Sequence, residues 1–389
     1  MGASLPDAPE SVFEDALGTL FQVTPFALGE PGEPVELALR PAPAPAVRLR
    51  LANPAAGATG LMAHYVWQAS RVLAAFLLAH AAEHVAGRRV LELGAGAGLP
   101  SIACHVHAPA LGAAPRRVVV SDMPDPDILA ALAHNMALNA PAAAAAASRR
   151  LAVTGHRFGD RYDAPSGAAT APSVRAEPAP QHPVVAPHTV LRAGAFDRVL
   201  AADVLWLGDL HSALLADLEH FLAPGGAALL VAGLHTGPHL LARFYRAVQV
   251  RPCRLSLASV LVADADADAA SAASASASAA SASAAATDGP VWTCLRVASC
   301  QLLRLDSRGE VIATETCAGP DAFHELPSDA IDASSYLVMM RLDNVRLSRE
   351  EAAEAAAEAT AATTAETTAA TTAETKAETT ALASASTRG

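Results

Sequence analysis

Val90-Leu91-Glu92-Leu93-Gly94-Ala95-Gly96-Ala97-Gly98-Leu99-Pro100-Ser101 is an apolar run holding one acid, then glycine alternating with alanine, then Leu-Pro-Ser. Arg89 to Leu93 reads as a short buried strand, and Pro100 suits the first turn of a helix, where its missing N–H costs nothing. The loop therefore joins a strand to a helix. Gly94, Gly96 and Gly98 let a ligand lie against the main chain where that helix begins. A tight turn with no ligand is the plain alternative.

Spacing separates two cofactors. A dinucleotide loop is G-x-G-x-x-G, shaped around a pyrophosphate, whereas this loop is G-x-G-x-G with Glu92 two residues upstream. Arg117 to Asp122 is a second apolar strand ending in an acid, placed to accept hydrogen bonds from ribose hydroxyls. With no phosphate to bind, the loop tolerates Glu92, and a cationic sulfonium is favoured by it. The expected cofactor is S-adenosylmethionine.

Strand and helix alternate outward from this point. Asp125-Pro126 opens a helix running to about Asn139, with Asp as cap and Pro in the first turn. Arg150–Thr154 is the next strand and Phe196–Asp203 the one after. A helix from Leu210 to Leu222 stops at Pro224-Gly225-Gly226, a turn that feeds the strand Ala227–Ala232. One more helix (His239–Val248) and strands near Leu255–Val262 and Val291–Leu303 follow. The expectation is an α/β fold: a mostly parallel, Rossmann-like sheet with helices on both faces. Ligands sit at the carboxyl ends of strands in such sheets, and Glu92, Asp122 and Asp203 fall on that rim. Each alone reads as a cap or turn acid. Together they favour a site.

Composition bounds the rest of the chain. Asp264 to Thr287 is Ala, Ser and Asp, and Glu350 to Gly389 is almost wholly Ala, Thr and Glu. Such stretches bury too little apolar area to offset chain entropy, so they are expected to be disordered or loosely helical. The expected organisation is an N-terminal extension (1–60), a core (61–263) with a Pro-rich loop insertion (161–194), a low-complexity insertion (264–288), the last core strand with a C-terminal extension (289–347), and a disordered tail (348–389). The two acidic stretches carry most of the net charge of −12. What remains argues against a general polyphosphate-binding surface.

Cys104, Cys253, Cys294, Cys300 and Cys317 form no C-x-x-C pair and no secreted framework, so ordinary intracellular thiols are expected. No basic-then-apolar leader opens the chain, Pro6 spoils a myristoylation reading, and runs such as Val72–Ala79 are too short to span a bilayer. A soluble cytoplasmic monomer is expected, with no metal, no direct nucleic-acid partner and no membrane.

The motifs HYVWQASRVLAAFL (64–77), RRVLELGAGAGLPS (88–101), VVVSDMPDPDIL (118–129) with HNMALN (134–139), FDRVLAADVLW (196–206) and LAPGGAALLVAGLHTGPHL (222–240) resemble, in this order, the seven-stranded class I methyltransferases. Within them the chain is most similar to the fungal N-terminal and lysine methyltransferases of translation elongation factor 1-alpha, a family also described as nicotinamide N-methyltransferase-like. The resemblance spans His64 to His239 plus the last strand, and leaves the low-complexity stretches outside.

The resemblance implies roles residue by residue. Trp67 matches the tryptophan that contacts the cofactor, where the residues alone suggest a core indole. Gly94, Ala95 and Gly96 match the cofactor loop, Asp122 the ribose-binding acid, and Ala202 a backbone contact. Phe158, within Gly155-His156-Arg157-Phe158-Gly159, stands where the family has an adenine-side tryptophan. One departure bears on the substrate. The family's Asp-Leu-x-Phe-Asn-His is here Asp203-Val204-Leu205-Trp206-Leu207-Gly208, and His211 alone can answer the second family histidine, although a lone helix histidine is more often structural.

Methyl transfer from a sulfonium is mainly alignment, but the nucleophile must be a neutral amine. At pH 7 a lysine costs about 4.6 kcal/mol to deprotonate and an α-amine only about 1 to 1.4 kcal/mol. The expected substrate is therefore the N-terminal glycine of elongation factor 1-alpha and the adjacent lysine, with Asp203 and Trp206 orienting the amine. A lysine-only protein substrate and a small amine of the nicotinamide type are the alternatives.

Overall fold

The computed structural model describes residues 27–39, 46–53, 62–140, 150–161, 191–234, 237–256, 291–306, 310–326, 335–361 and 364. The insertion at 264–288, most of 161–194 and the end of the tail lie outside them. The chain divides into unit 1 (residues 1–249 and 296–343) and unit 2 (250–295 and 344–389).

Unit 1 is built on parallel strands whose sequences are runs of Val, Leu and Ala. They are β5 (Arg89–Leu93), β6 (Arg117–Asp122), β7 (Leu151–Gly155), β8 (Phe196–Ala202) and β9 (Leu222–Gly233), preceded in the chain by the short β1 (Ala27–Leu28), β2 (Pro34–Ala38), β3 (Ala46–Arg50) and β4 (Val66–Trp67). Near-continuous burial along β5 to β8 is the mark of a sheet covered on both faces. Besides a short helical turn at Ala81–His84, the helices that matter here are α1 (Gln68–Ala79), α2 (Leu99–Ile102, with Pro100 in its first turn), α3 (Pro126–Asn139), α4 (His211–Phe221) and α5 (Pro238–Gln249). As its sequence implies, α3 is capped by Asp125, whose carboxylate accepts the Asp127 and Ile128 N–H groups at 2.9 and 3.1 Å.

With β11 (Val291–Leu305), β12 (Val311–Thr316) and β13 (Tyr336–Leu347), the sheet runs β11-β13-β9-β8-β5-β6-β7, and β12 pairs with β11. β13 is antiparallel to β9. The winding reverses between β5 and β8, so right-handed crossovers put α3 and α4 on opposite faces. The sheet is Rossmann-like, with its switch point beside the glycine loop.

Two expectations are corrected here. Pro224-Gly225-Gly226 is not a turn before a strand but an irregularity inside β9, where the register with β8 slips after Phe196↔Leu222. The 1–60 extension is not outside the core. β2 and β3 form an antiparallel hairpin, and Val47, Leu49 and Leu51 are buried with Leu73, Val90 and Val118 in one cluster, each worth about 1.5–3 kcal/mol of burial. Asn135 and Asn139, one turn apart on α3, pair with the hairpin as a neighbouring strand does: Asn135 bridges both backbone groups of Arg50, and Asn139 those of Arg48.

Unit 2 holds the start of the tail, which takes the helical of the two states expected for it. Residues 349–361 are helical, opened by a capping box in which the Glu351 N–H donates to the Ser348 hydroxyl and the Glu351 carboxylate accepts the Ser348 N–H. The strand β10 (Arg254–Ser256) pairs with Val291–Thr293, so the strand expected to reach Val262 is described only to Ser256. Cys253 and Cys294, expected as free thiols, form a disulfide. They fall opposite one another in this two-strand register, which sequence spacing alone does not reveal.

Candidate functional site at the carboxyl ends of the parallel strands

The loop after β5 turns on three left-handed glycines, Gly94, Gly96 and Gly98. They differ in what surrounds them. A Cβ on Gly94 would come within 2.7 Å of Val204 and one on Gly98 within 2.6 Å of Leu132, so those two are glycine for packing as well as angle. At Gly96 the only neighbour among the described residues is the Ala63 carbonyl oxygen at 4.0 Å, so they leave this stretch of main chain uncovered. That is where a ligand can lie against the backbone.

Asp122, at the end of β6, holds this loop. Its Oδ2 accepts the Gly96 N–H at 2.6 Å and its Oδ1 the Met123 N–H at 2.7 Å, while the Ala95 N–H donates to the Ser121 carbonyl. Burial pushes the Asp122 carboxyl above its ordinary range, against the pull of those two N–H donors. Asn135 adds a third tie, donating to the Ala97 carbonyl at 3.1 Å while it grips the hairpin. The loop is therefore preorganised from three sides.

Glu92 is placed differently from its sequence reading. It is 1% exposed, and its Oε2 accepts both the N–H and the hydroxyl of Ser101 at the start of α2. It braces the loop from beneath and presents no charge to a ligand. Burial raises its pKa from 4.5 to about 8. An acid whose folded pKa is raised keeps a proton that the unfolded chain releases, so stability falls as pH rises from about 4.5 to 8. Glu92→Gln should flatten this decline, read as denaturant midpoints at pH 5 and pH 8. Parallel curves for the two proteins exclude Glu92 as its source.

Phe158 comes to the same edge. A Cβ on Gly94 would stand 3.5 Å from the Phe158 ring, so the ring lies over the first glycine. The turn carrying it is fixed by Asp217 of α4, which is fully buried and accepts from His156 Nε2 (2.9 Å), the Gly159 N–H (3.0 Å) and Arg161 Nη1 (2.6 Å). The His156 N–H also donates to the Asp122 carbonyl at 2.7 Å. Neither Asp217 nor Asn135 stands out in the sequence reading. The available signal was a lone carboxylate within the apolar run Leu214-Leu215-Ala216-Asp217-Leu218.

Trp67 caps α1, and its indole N–H donates to the carbonyl of Met62, a non-glycine residue at φ 53°. The segment passes the glycine loop at Ala63. On the far side Ala202 ends β8, and Asp203 follows at φ 58° with its N–H bonded to the Val231 carbonyl. Asp203 Oδ1 accepts the Gly233 N–H at 3.1 Å, which fixes the carboxylate between the ends of β8 and β9. Trp206 lies half-buried in the turn after it. His211 is buried, its Nε2 donating to the Leu205 carbonyl at 2.8 Å and its ring meeting Phe244 edge-on. Gly94, Ala95, Gly96, Asp122, Phe158, Ala202 and Asp203 thus occupy the ends of adjacent parallel strands. Among the described residues no cluster of three or more His, Cys, Asp or Glu could hold a metal ion, and no helix is long and apolar enough to cross a membrane.

The strand order, with one antiparallel strand beside β9 and a glycine loop at the switch point, defines the class: a Rossmann-like α/β domain. Residues 49–155 match the lysine methyltransferase family. The chain is 31% identical over 190 residues to the protein N-terminal and lysine N-methyltransferase of Yarrowia lipolytica, covering 49% of this chain and 61% of that protein. It is 33% identical over 198 residues to the protein of the same name from Eremothecium gossypii, covering 49% of this chain and 60% of that one. About half the chain is therefore similar to these proteins, and it spans about three fifths of their length.

Proposed function

We propose that this chain is an S-adenosylmethionine-dependent protein N-methyltransferase whose substrate is the N-terminal glycine of translation elongation factor 1-alpha, with the adjacent lysine as a second target. The observation that carries the reading is the open face of Gly96, held by Asp122 and flanked by the Phe158 ring. The similarity to proteins named as N-terminal and lysine methyltransferases supports the substrate class.

The residues present fit the cofactor. Gly94, Ala95 and Gly96 offer bare backbone, Asp122 offers carboxylate lone pairs for ribose hydroxyls, Phe158 a flat face for adenine, Trp67 an indole, and Ala202 a main-chain contact. Bound there, S-adenosylmethionine supplies a methyl group already activated by a sulfonium. The chain then has to present a neutral amine. Asp203, fixed by Gly233, accepts N–H bonds from that amine, and Trp206 offers a ring face to its cationic form before the proton leaves. The α-amine is the easier nucleophile, since it loses its proton at about pH 7.7 to 8.0 where a lysine needs about 10.4.

The test is mass spectrometry of a peptide copying the factor's N-terminus after incubation with enzyme and S-adenosylmethionine, beside nicotinamide. Methylation of the glycine amine is expected, rising between about pH 7 and 9 as the amine deprotonates. Methylated nicotinamide with an unmodified peptide overturns the protein-substrate reading in favour of a small amine.

A further inference from the structure

Away from the strand-end site, unit 1 holds two free cysteines side by side. The register of β11 with β12 pairs Gln301 with Thr316, and one step further it sets Cys300 opposite Cys317, whose N–H donates to the Cys300 carbonyl at 2.9 Å. Directly opposed residues of an antiparallel pair project to the same face, with Cα atoms about 5.5 Å apart where the backbone groups are bonded to each other. A disulfide needs a Cα separation of roughly 4.4 to 6.8 Å. The pair is thus within bridging distance without backbone movement.

The same strand shows what this arrangement can do. Cys294 of β11 stands opposite Cys253 in the register that pairs Thr293 with Arg254, and those two are bonded, with Cα atoms 4.5 Å apart. Cys300 and Cys317 are both free. They are also set apart from their surroundings. Five of the six residues of β12 are exposed, whereas Cys317, the next residue but none of the strand, is 7% exposed and Cys300 2%.

We propose that Cys300 and Cys317 form an oxidisable dithiol, a modification site that takes up low-molecular-weight disulfides of the glutathione type and closes to an intramolecular disulfide. The thiols are matched to such exchange. The hydrogen bond from Cys300 lowers the Cys317 thiol to about 7, and the same bond together with burial raises Cys300. Cys317 is therefore the attacking thiolate. Its sulfur forms a bond to one sulfur of the oxidant and the other leaves as a thiolate. Cys300 then gives up its proton and attacks the Cys317 sulfur, expelling the second thiolate. The two cysteines lose two electrons and two protons, and the small disulfide becomes two thiols. Access comes through β12, which among the described residues pairs only with β11 and buries little, so a local opening exposes the pair.

The experiment uses the full native chain treated with oxidised glutathione, quenched in acid, alkylated in denaturant and digested for mass spectrometry. The expected product is a peptide containing Cys300 linked to one containing Cys317, lighter by two hydrogens and restored by dithiothreitol, while buried Cys104 remains an alkylated thiol. In Cys300→Ser the reaction should stop at glutathione held on Cys317. Alkylation of Cys300 and Cys317 as complete as that of Cys104 overturns the proposal, and so does a bridge from either of them to Cys104. The wild-type readout does not need the variant to fold, and it does not depend on the methyltransferase reading.

Discussion

Asp122→Ala is expected to weaken S-adenosylmethionine binding about 100-fold, equivalent to about 2.7 kcal/mol. Two losses combine. A charged acceptor for ribose hydroxyls disappears, worth about 1.5 to 3 kcal/mol for hydrogen bonds to an ionised group. The Gly96 and Met123 N–H groups also lose the carboxylate that holds them at 2.6 and 2.7 Å, so the loop must be ordered again when the ligand binds. Asp122→Asn keeps one carbonyl acceptor and should fall between the variant and the wild type. Calorimetric titration on protein whose circular dichroism matches wild type is the measurement. An affinity within threefold of wild type removes Asp122 from the binding site and leaves it a strand-end brace. Methyl transfer with a saturating peptide then tells whether the loop also affects turnover.

The parallel sheet is legible in the sequence because its strands are apolar on both faces and its turns carry caps and glycines that act locally. Asp125-Pro126 and Gly94 to Gly98 each need only their near neighbours to be read. The N-terminal hairpin is not legible for the opposite reason. In Ala46-Val47-Arg48-Leu49-Arg50 the alternation is present, but its docking depends on Asn135 and Asn139, 85 and 91 residues away. The Ala- and Pro-rich surroundings conceal it further. Glu92 is misread because β5 is buried on both faces, so alternation gives no signal of which way its carboxyl turns. The disulfide is hidden by the 41 residues separating Cys253 from Cys294, since only the register of β10 against β11 brings them together. In the site, Gly94, Ala95, Gly96, Asp122, Phe158 and Ala202 lie at the ends of adjacent parallel strands, whereas the groups that brace that edge, Asn135 and Asp217, are defined by distant partners.

Asp217→Ala is expected to destabilise unit 1 by about 3 kcal/mol, near the lower end of the cost of breaking a buried ion pair. The lower end applies because the three donors are unequal. The Arg161 side chain is 36% exposed and can turn to water once its partner is gone. His156 is 1% exposed and the Gly159 N–H belongs to the same turn, so both are left with a buried donor facing no acceptor. That loss should lower the melting temperature by about 6 to 12 °C for a domain of this size. It should also release the turn that carries Phe158 over Gly94, so cofactor affinity should fall even at temperatures where the variant is folded. Arg161→Ala is the contrasting change: it removes the exposed partner alone and should move the melting temperature by less than about 3 °C, as a partly solvated pair does. The measurements are thermal melts followed by circular dichroism, with calorimetric titration at a temperature well below both transitions. If Asp217→Ala melts with the wild type and binds the cofactor equally well, the buried carboxylate does not organise this turn, and Phe158 must be held by its other contacts, such as those with Gly94 and the His156 ring.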